Sequence, residues 1–98
     1  MPMDYTGFQQ TLTSNVPPSE WPEALKAMWY DAKGDWEASH DIAQDMPDTV
    51  GSWIHAYLHR KEGDDWNGGY WYQQAGKNFP KISLEQEHQE IVAFLLSN

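Results

Sequence analysis

Two histidines near the middle of the chain have the spacing of metal ligands. His55 and His59 are four residues apart, so on a helix both imidazoles project from one face about one turn apart. Glu62 follows three residues later on the same side. Neutral imidazole and carboxylate groups suit Zn²⁺ or Fe²⁺. His55, His59 and Glu62 are therefore a candidate metal site, although Ala56 stands where the helical zinc-protease motif requires glutamate.

A solvated helix face explains the same spacing without a metal. In that case a histidine hydrogen-bonds to the nearby glutamate, and no third ligand completes the set. The sequence leaves both alternatives open. We therefore expect no cofactor, with a divalent metal as the alternative.

A third histidine lies on the preceding predicted helix. His40 comes one turn after Trp36 and one turn before Gln44, which places the three side chains in one strip. If this helix packs beside the one that carries His55 and His59, the imidazoles converge, and a metal site or a general acid–base site becomes credible. The alternative is a boundary histidine that hydrogen-bonds to one of the many acidic residues.

Four aromatic residues crowd one short segment. Trp66, Tyr70, Trp71 and Tyr72 cannot all face the core from one helix, because consecutive residues point about 100° apart. We expect at least one of them to be partly exposed. With Arg60 nearby, exposed Trp and Tyr side chains resemble a binding hot spot, unless the N-terminal arm or the last helix covers them. The candidate binding residues are His40, Gln44, His55, His59, Arg60, Tyr70 and Tyr72.

The charge balance limits the partners. Six basic residues stand against fifteen acidic ones, for a formal net charge of −9. Such a field repels phosphate backbones, so we expect no nucleic acid and no membrane as partner, but a peptide, a protein or a small ligand. The chain has no cysteine, which excludes disulfides and thiol nucleophiles. No phosphate-binding loop and no serine nucleophile elbow is recognisable.

The sequence also gives an expectation for location. Residues 1–10 lack the basic and apolar parts of a signal peptide. The longest strongly apolar stretch, residues 91–96, is far shorter than the roughly 20 residues that cross a bilayer. We expect a cytoplasmic protein.

Apolar periodicity predicts an all-α fold of one domain. The domain comprises an N-terminal arm (1–18), a first helical hairpin (19–47), a second hairpin (48–80) and a C-terminal helix (83–97).

Capping residues and helix breakers set the predicted boundaries. We expect a short helix over residues 4–14, a helix over 21–33 with Ser19 as its N-cap, and a helix over 36–45. Further helices are expected from Thr49 or Ser52 to Glu62, over 66–75, and after Ser83, which begins a capping box with Gln86. Gly68 and Gly69 suggest a close helix–helix approach.

Each predicted hairpin turns through a Gly-Asp pair. Placing Gly34 over Gly63 aligns two copies about 29 residues apart, with Asp35 over Asp64. The second copy resembles a tetratricopeptide or Sel1-like repeat, with a small residue, an aromatic pair and alanine in the expected places at Gly68, Trp71, Tyr72 and Ala75. The first copy is one residue shorter after its turn and lacks the aromatic pair. The resemblance covers residues 24–80 and implies two TPR-like helix-turn-helix units with a C-terminal capping helix.

A narrower resemblance covers the same region. The block W-x-H-A-Y-L-H-R-K-E-G-D at residues 53–64, with Asn67 and residues 70–76, is similar to a set of small bacterial proteins of no assigned activity. The similarity to these proteins extends to Trp36, His40 and Gln44. The resemblance implies a common fold and a common site rather than a particular reaction.

Two functions from different classes follow. The first is a non-catalytic interaction or ligand-binding module, which uses the face around His55, His59, Arg60, Tyr70 and Tyr72. The alternative is a small metal-dependent or acid–base enzyme that uses His40, His55, His59 and Glu62. A homodimer that buries the aromatic surface is a third expectation.

Overall fold

The computed structural model describes residues 3–97, and this part of the chain is all-helical, as the sequence predicts. Its six α-helices are α1 (Tyr5–Gln10), α2 (Glu23–Ala32), α3 (Trp36–Gln44), α4 (Thr49–Lys61), α5 (Asp65–Gln74) and α6 (Leu84–Leu96). A 3₁₀ turn over Thr11–Thr13 follows α1. Within residues 3–97 no helix combines the length and the apolar character that crossing a membrane requires.

Two antiparallel hairpins, α2–α3 and α4–α5, turn in the same way. Gly34 and Gly63 have φ of 85° and 86°, a left-handed conformation in which a Cβ would be strained. The carboxylates of Asp35 and Asp64 then accept hydrogen bonds from the backbone N–H of Ala38 and Asn67, which caps α3 and α5. The predicted Gly-Asp turns are confirmed.

Two predicted helix starts and ends are wrong. The structure begins α2 at Glu23, and Ser19 does not cap it. Trp21 precedes Pro22, which disfavours helical backbone at Trp21, so the helix forms only after the proline. In the arm, α1 ends at Gln10 rather than continuing to Ser14, and the chain tightens into the 3₁₀ turn.

Helix α4 is the central element and packs against α2, α3, α5 and α6. Gly68 of α5 faces the backbone of α4, and a Cβ there would lie 3.4 Å from the carbonyl oxygen of Ala56 and the backbone nitrogen of Arg60, an ordinary van der Waals contact. A Cβ at Gly69 would meet open space, so the close helix–helix approach expected at Gly69 is wrong, and at Gly68 the helices touch but leave room for a Cβ. The core is formed by sixteen apolar residues: Phe8, Trp21, Ala24, Leu25, Ala27, Met28, Trp29, Ala43, Trp53, Ile54, Ala56, Tyr57, Leu58, Tyr72, Ile91 and Val92.

A buried carboxylate attaches α6 to the second hairpin. Glu87 is 2% exposed and accepts hydrogen bonds from Tyr72 Oη at 2.6 Å and Trp53 Nε1 at 3.2 Å. Arg60 Nη1 forms an ion pair with it at 2.8 Å, and the same guanidinium donates to the carbonyl of Ile82. The predicted capping box of Ser83 and the N-terminal start of α6 are also confirmed. Because every partner is satisfied, this buried charge fixes the position of α6 instead of weakening the core.

A second buried carboxylate does the same on the other side of α4. Asp31 of α2 is 2% exposed and accepts from Tyr57 Oη at 2.7 Å and Lys61 Nζ at 2.8 Å. His88 of α6 lies beside it, with Nε2 3.2 Å from the carbonyl of Met28 and Nδ1 3.0 Å from Tyr5 Oη. The two networks hold α4 in a fixed rotation, which determines where its histidines point.

Candidate histidine cluster

Three imidazoles meet between α3 and α4. His40 Nε2 and His55 Nε2 are 2.9 Å apart. The ring centroids of His55 and His59 are 4.8 Å apart, and those of His40 and His59 are 5.3 Å apart. One ring nitrogen from each residue lies within 4.8 Å of the others. We call His40, His55 and His59 the histidine cluster.

Trp36 positions the α3 side of the histidine cluster. Its indole N–H donates to the carbonyl oxygen of Leu58 at 2.8 Å, which joins the start of α3 to the middle of α4. One turn further, the imidazole of His40 stacks on the indole, with centroids 4.8 Å apart and planes at 13°. The ring of His40 is therefore held by a hydrogen-bonded tryptophan.

Trp71 positions the α5 side. Its indole stacks on the imidazole of His55 with centroids 4.1 Å apart and planes at 21°. This contact accompanies the packing of α5 on α4, where Gly68 faces the backbone of Ala56 and Arg60. Two indole faces thus line the histidine cluster, and they offer neither a hydrogen-bond acceptor of ordinary strength nor a metal ligand.

His59 is oriented from its outer side. Its Nδ1 lies 2.8 Å from Glu62 Oε1 and 3.9 Å from Asp64 Oδ2. A carboxylate can only accept, so Nδ1 carries a hydrogen and Nε2 keeps its lone pair in the neutral ring. A ligating histidine usually donates its second N–H to a carboxylate in this manner, which fixes the tautomer and raises the basicity of the other nitrogen.

The surroundings keep His40 and His55 neutral. Burial is the largest cause that lowers the pKa of His55, and together with the neighbouring imidazoles of His40 and His59 it brings that pKa to about 4. The pKa of His40 is lowered by burial and by His59, against a partial opposing effect of Asp41 and Glu62. At pH 7 both rings are therefore uncharged, which is the form that binds metals.

The short contact between His40 and His55 determines how the two rings are protonated. Two neutral imidazoles whose Nε2 atoms lie 2.9 Å apart must share one N–H, with one ring donating and the other accepting. A metal ion needs both lone pairs, so the donor ring must move its proton to Nδ1. Ligand nitrogens of a tetrahedral Zn²⁺ are roughly 3.3 Å apart, given Zn–N bonds of about 2.0 Å. Because the three ring nitrogens already lie within 4.8 Å of one another, no N–N distance has to shorten by more than about 1.5 Å to reach this separation.

The predicted metal residues are brought together in part. His55 and His59 converge as their spacing indicates, and His40 joins them. Glu62 lies on the opposite side of the His59 ring, where it accepts from Nδ1. In this arrangement Glu62 orients the imidazole of His59. Together with Asp64, it forms a second group around His59.

The predicted binding residues do not share one surface. Arg60 and Tyr72 both turn to Glu87, and Tyr72 is 1% exposed. Gln44 is exposed, with its amide 3.5 Å from Asp41. Tyr70 is 48% exposed, as expected for this aromatic segment.

Two contributors were not among the predicted site residues. The sequence predicts Trp71 as part of the aromatic segment and of the repeat's aromatic pair, yet its indole covers His55. The sequence predicts Asp64 as part of the Gly-Asp turn, yet the turn at Gly63 also brings its carboxylate back to His59. The sequence signal that could have placed Asp64 beside His59 is Gly63, because a glycine at a helix end favours a Schellman-type turn. In this turn the backbone N–H of Asp64 donates to the carbonyl of His59, which brings Asp64 back to the last turn of α4.

Comparison of the chain with protein families, with curated proteins and with solved structures gives no significant match.

Proposed function

We propose that this protein is a small helical module that binds one divalent transition-metal ion through His40, His55 and His59. The main observation in support is that one imidazole nitrogen from each of these residues lies within 4.8 Å of the others. Imidazole is a ligand for Zn²⁺, Cu²⁺, Ni²⁺ and Fe²⁺, and affinity along this row favours the later ions. We take Zn²⁺ as the probe because it accepts three imidazoles with little geometric demand.

The fixed orientation of each imidazole ring supports metal binding over a cluster that is held only by its own hydrogen bonds. Each imidazole is held by something other than the cluster itself: His40 by Trp36, His55 by Trp71 and His59 by Glu62. Ligands that are fixed in advance lose little entropy when an ion arrives. The lowered pKa of His40 and of His55 removes the competition from protons at pH 7.

Binding is favoured over catalysis by the position of Glu62. Three protein ligands leave a fourth position on a tetrahedral ion for water or for another ligand, as in catalytic zinc sites. A hydrolytic enzyme also needs a general base beside that water. Glu62 is occupied on the far side of His59, and among residues 3–97 no carboxylate joins the group formed by His40, His55 and His59.

We also propose that the two hairpins are TPR-like units. Their support is the matching left-handed glycine and capping aspartate at Gly34-Asp35 and Gly63-Asp64. In this arrangement α3 and α5 are equivalent second helices. The repeat then explains how His40 of one unit comes to face His55 and His59 of the next.

The test is a Zn²⁺ titration of protein purified without an affinity tag. Calorimetry is expected to show one ion per chain and a rise in Tm with metal concentration. His40→Gln, His55→Gln and His59→Gln each remove one ligand and should weaken binding by more than about tenfold, the order expected when even an outer-shell group is lost.

A matched control is available. His88→Gln removes the fourth histidine of the chain, which contacts Met28 and Tyr5 rather than the cluster. The folded fraction of each variant is measured by circular dichroism before titration. Undiminished Zn²⁺ binding in all three cluster variants, or no binding by the wild type, contradicts the proposal.

A further inference from the structure

Helix α5 presents two large aromatic side chains to solvent. Trp66 is 81% exposed and Tyr70 is 48% exposed. They are four residues apart on α5 and so lie on neighbouring turns of one side. Asp64 and Asp65 stand next to Trp66 at the start of the helix. We call Trp66, Tyr70, Asp64 and Asp65 the aromatic–acidic face.

The charged side chains of α5 and its cap residues are of one sign. Helices α3 and α5, with their cap residues, contain no lysine or arginine. The six basic residues lie on or next to α2, on α4, and between α5 and α6. Five of them are engaged elsewhere: Arg60 pairs with Glu87, Lys61 with Asp31 and Lys26 with Glu23. Lys33 donates to the carbonyl of Leu12, and Lys77 lies over the ring of Trp53. The acids on α5 and its N-cap are Asp65 and Asp64.

We propose that the aromatic–acidic face binds a basic peptide segment, with Arg or Lys side chains over the rings of Trp66 and Tyr70. A cation is attracted to the face of an indole or phenol ring within about 6 Å of its centre. The carboxylates of Asp64 and Asp65 add a negative potential that steers the same cation. Both observations select one partner chemistry.

The alternatives fit this surface less well. A nucleic acid or an anionic vesicle carries the same sign of charge as the face and is repelled. A second copy of the chain brings a net charge of −9 against −9. Repulsion between two copies disfavours a homodimer through this face, and a basic peptide has no such cost.

The experiment uses metal-free protein and a short peptide of Arg, Lys and Gly, with a Glu-containing peptide of the same length as control. Amide and indole chemical shifts should move at Trp66, Tyr70 and their neighbours with the basic peptide only. Affinity should fall as salt is added, because exposed charges are screened. Movement confined to other surfaces overturns the proposal.

Two substitutions separate aromatic recognition from general charge attraction. Trp66→Leu keeps every charge and an apolar side chain but removes the ring, and it should weaken peptide binding about fivefold. Trp66→Phe keeps a ring and should retain most of the affinity. Phe94→Leu on α6 is the matched control, because Phe94 is another exposed aromatic residue, at 44%.

Since Trp66 is 81% exposed, these variants should fold like the wild type. An unchanged affinity in Trp66→Leu would show that only long-range charge is at work and would refute the proposal. Sedimentation that reveals a dimer dissolved by Trp66→Leu would assign the face to a second copy instead. Loss of the cluster histidines should leave peptide binding unchanged.

Discussion

Lowering the pH should destabilise the metal-free protein through His55. The ring is 8% exposed, and its pKa falls from 6.5 to about 4 on folding. A group with a lowered pKa in the folded state takes up its proton more readily when unfolded. Its stabilising contribution is therefore complete above pH 6.5 and is lost as the pH falls toward 4.

The size of the effect follows from the shift. One pKa unit corresponds to about 1.4 kcal/mol, so the displacement amounts to about 3 kcal/mol of unfolding free energy. A domain of this size has a total stability on the order of 5–15 kcal/mol, so the loss is readily measurable. His40 and His88 also have lowered pKa values and act in the same direction.

The assay is urea unfolding in the presence of a chelator, from about pH 7 down to about pH 5.5, where most carboxylates are still ionised. The wild-type stability should fall steeply over this interval. His55→Gln keeps a donor that can reach His40 and should reduce the slope by about 1.4 kcal/mol per pH unit. Parallel slopes for the two proteins would refute the assignment of a neutral, buried His55.

Three further predictions concern the groups around the histidine cluster and the packing of α4. Glu62→Gln should weaken Zn²⁺ binding by about tenfold in calorimetry, since His59 loses a charged acceptor, and equal affinity would contradict this role. Gly63→Ala should lower the unfolding free energy by about 1 kcal/mol, because the φ of Gly63 is 86°. Gly68→Ala should leave the unfolding free energy unchanged or raise it by up to about 1 kcal/mol, because alanine favours the helix and its Cβ fits. If urea denaturation shows the opposite order of the two variants, α5 packs differently. Glu87→Gln should cost about 3 kcal/mol by leaving a guanidinium without its counter-charge, and a loss below 1 kcal/mol would mean that solvent replaces the carboxylate.

The local rules of sequence were sufficient for most helices. A left-handed glycine followed by a capping aspartate acts within a few residues, so Gly34 and Gly63 could be interpreted without knowing the fold. The start of α2 shows how close signals compete: Ser19 is a good capping residue, but Pro22 delays the helix by excluding helical backbone before it.

The side chains of α4 were harder to assign, because nearly every position of the helix contacts something. Periodicity shows that Arg60 and His59 are near the surface, but not that Glu87 of a distant helix reaches Arg60. The prediction of Tyr72 as a surface binding residue fails for the same reason, because its hydroxyl donates to Glu87 inside the core. These contacts span 15 to 27 residues of sequence and depend on how the helices rotate against one another.

The convergence of the histidines was a conditional prediction. The spacing of His55 and His59 predicts two imidazoles on one face, and the repeat predicts that α3 and α4 are neighbours. Whether His40 points into their gap depends on Trp36, whose indole N–H finds the carbonyl of Leu58. That hydrogen bond joins two helices and leaves no pattern in either one.

The central claim is that the three imidazoles are the ligands of one metal ion. X-ray absorption at the zinc edge, on protein loaded with one equivalent of Zn²⁺, measures the ligands directly. Coordination by His40, His55 and His59 predicts the multiple-scattering signature of three imidazoles, with Zn–N distances of about 2.0 Å. A shell dominated by oxygen, or the same three-imidazole signature in His55→Gln, would contradict it.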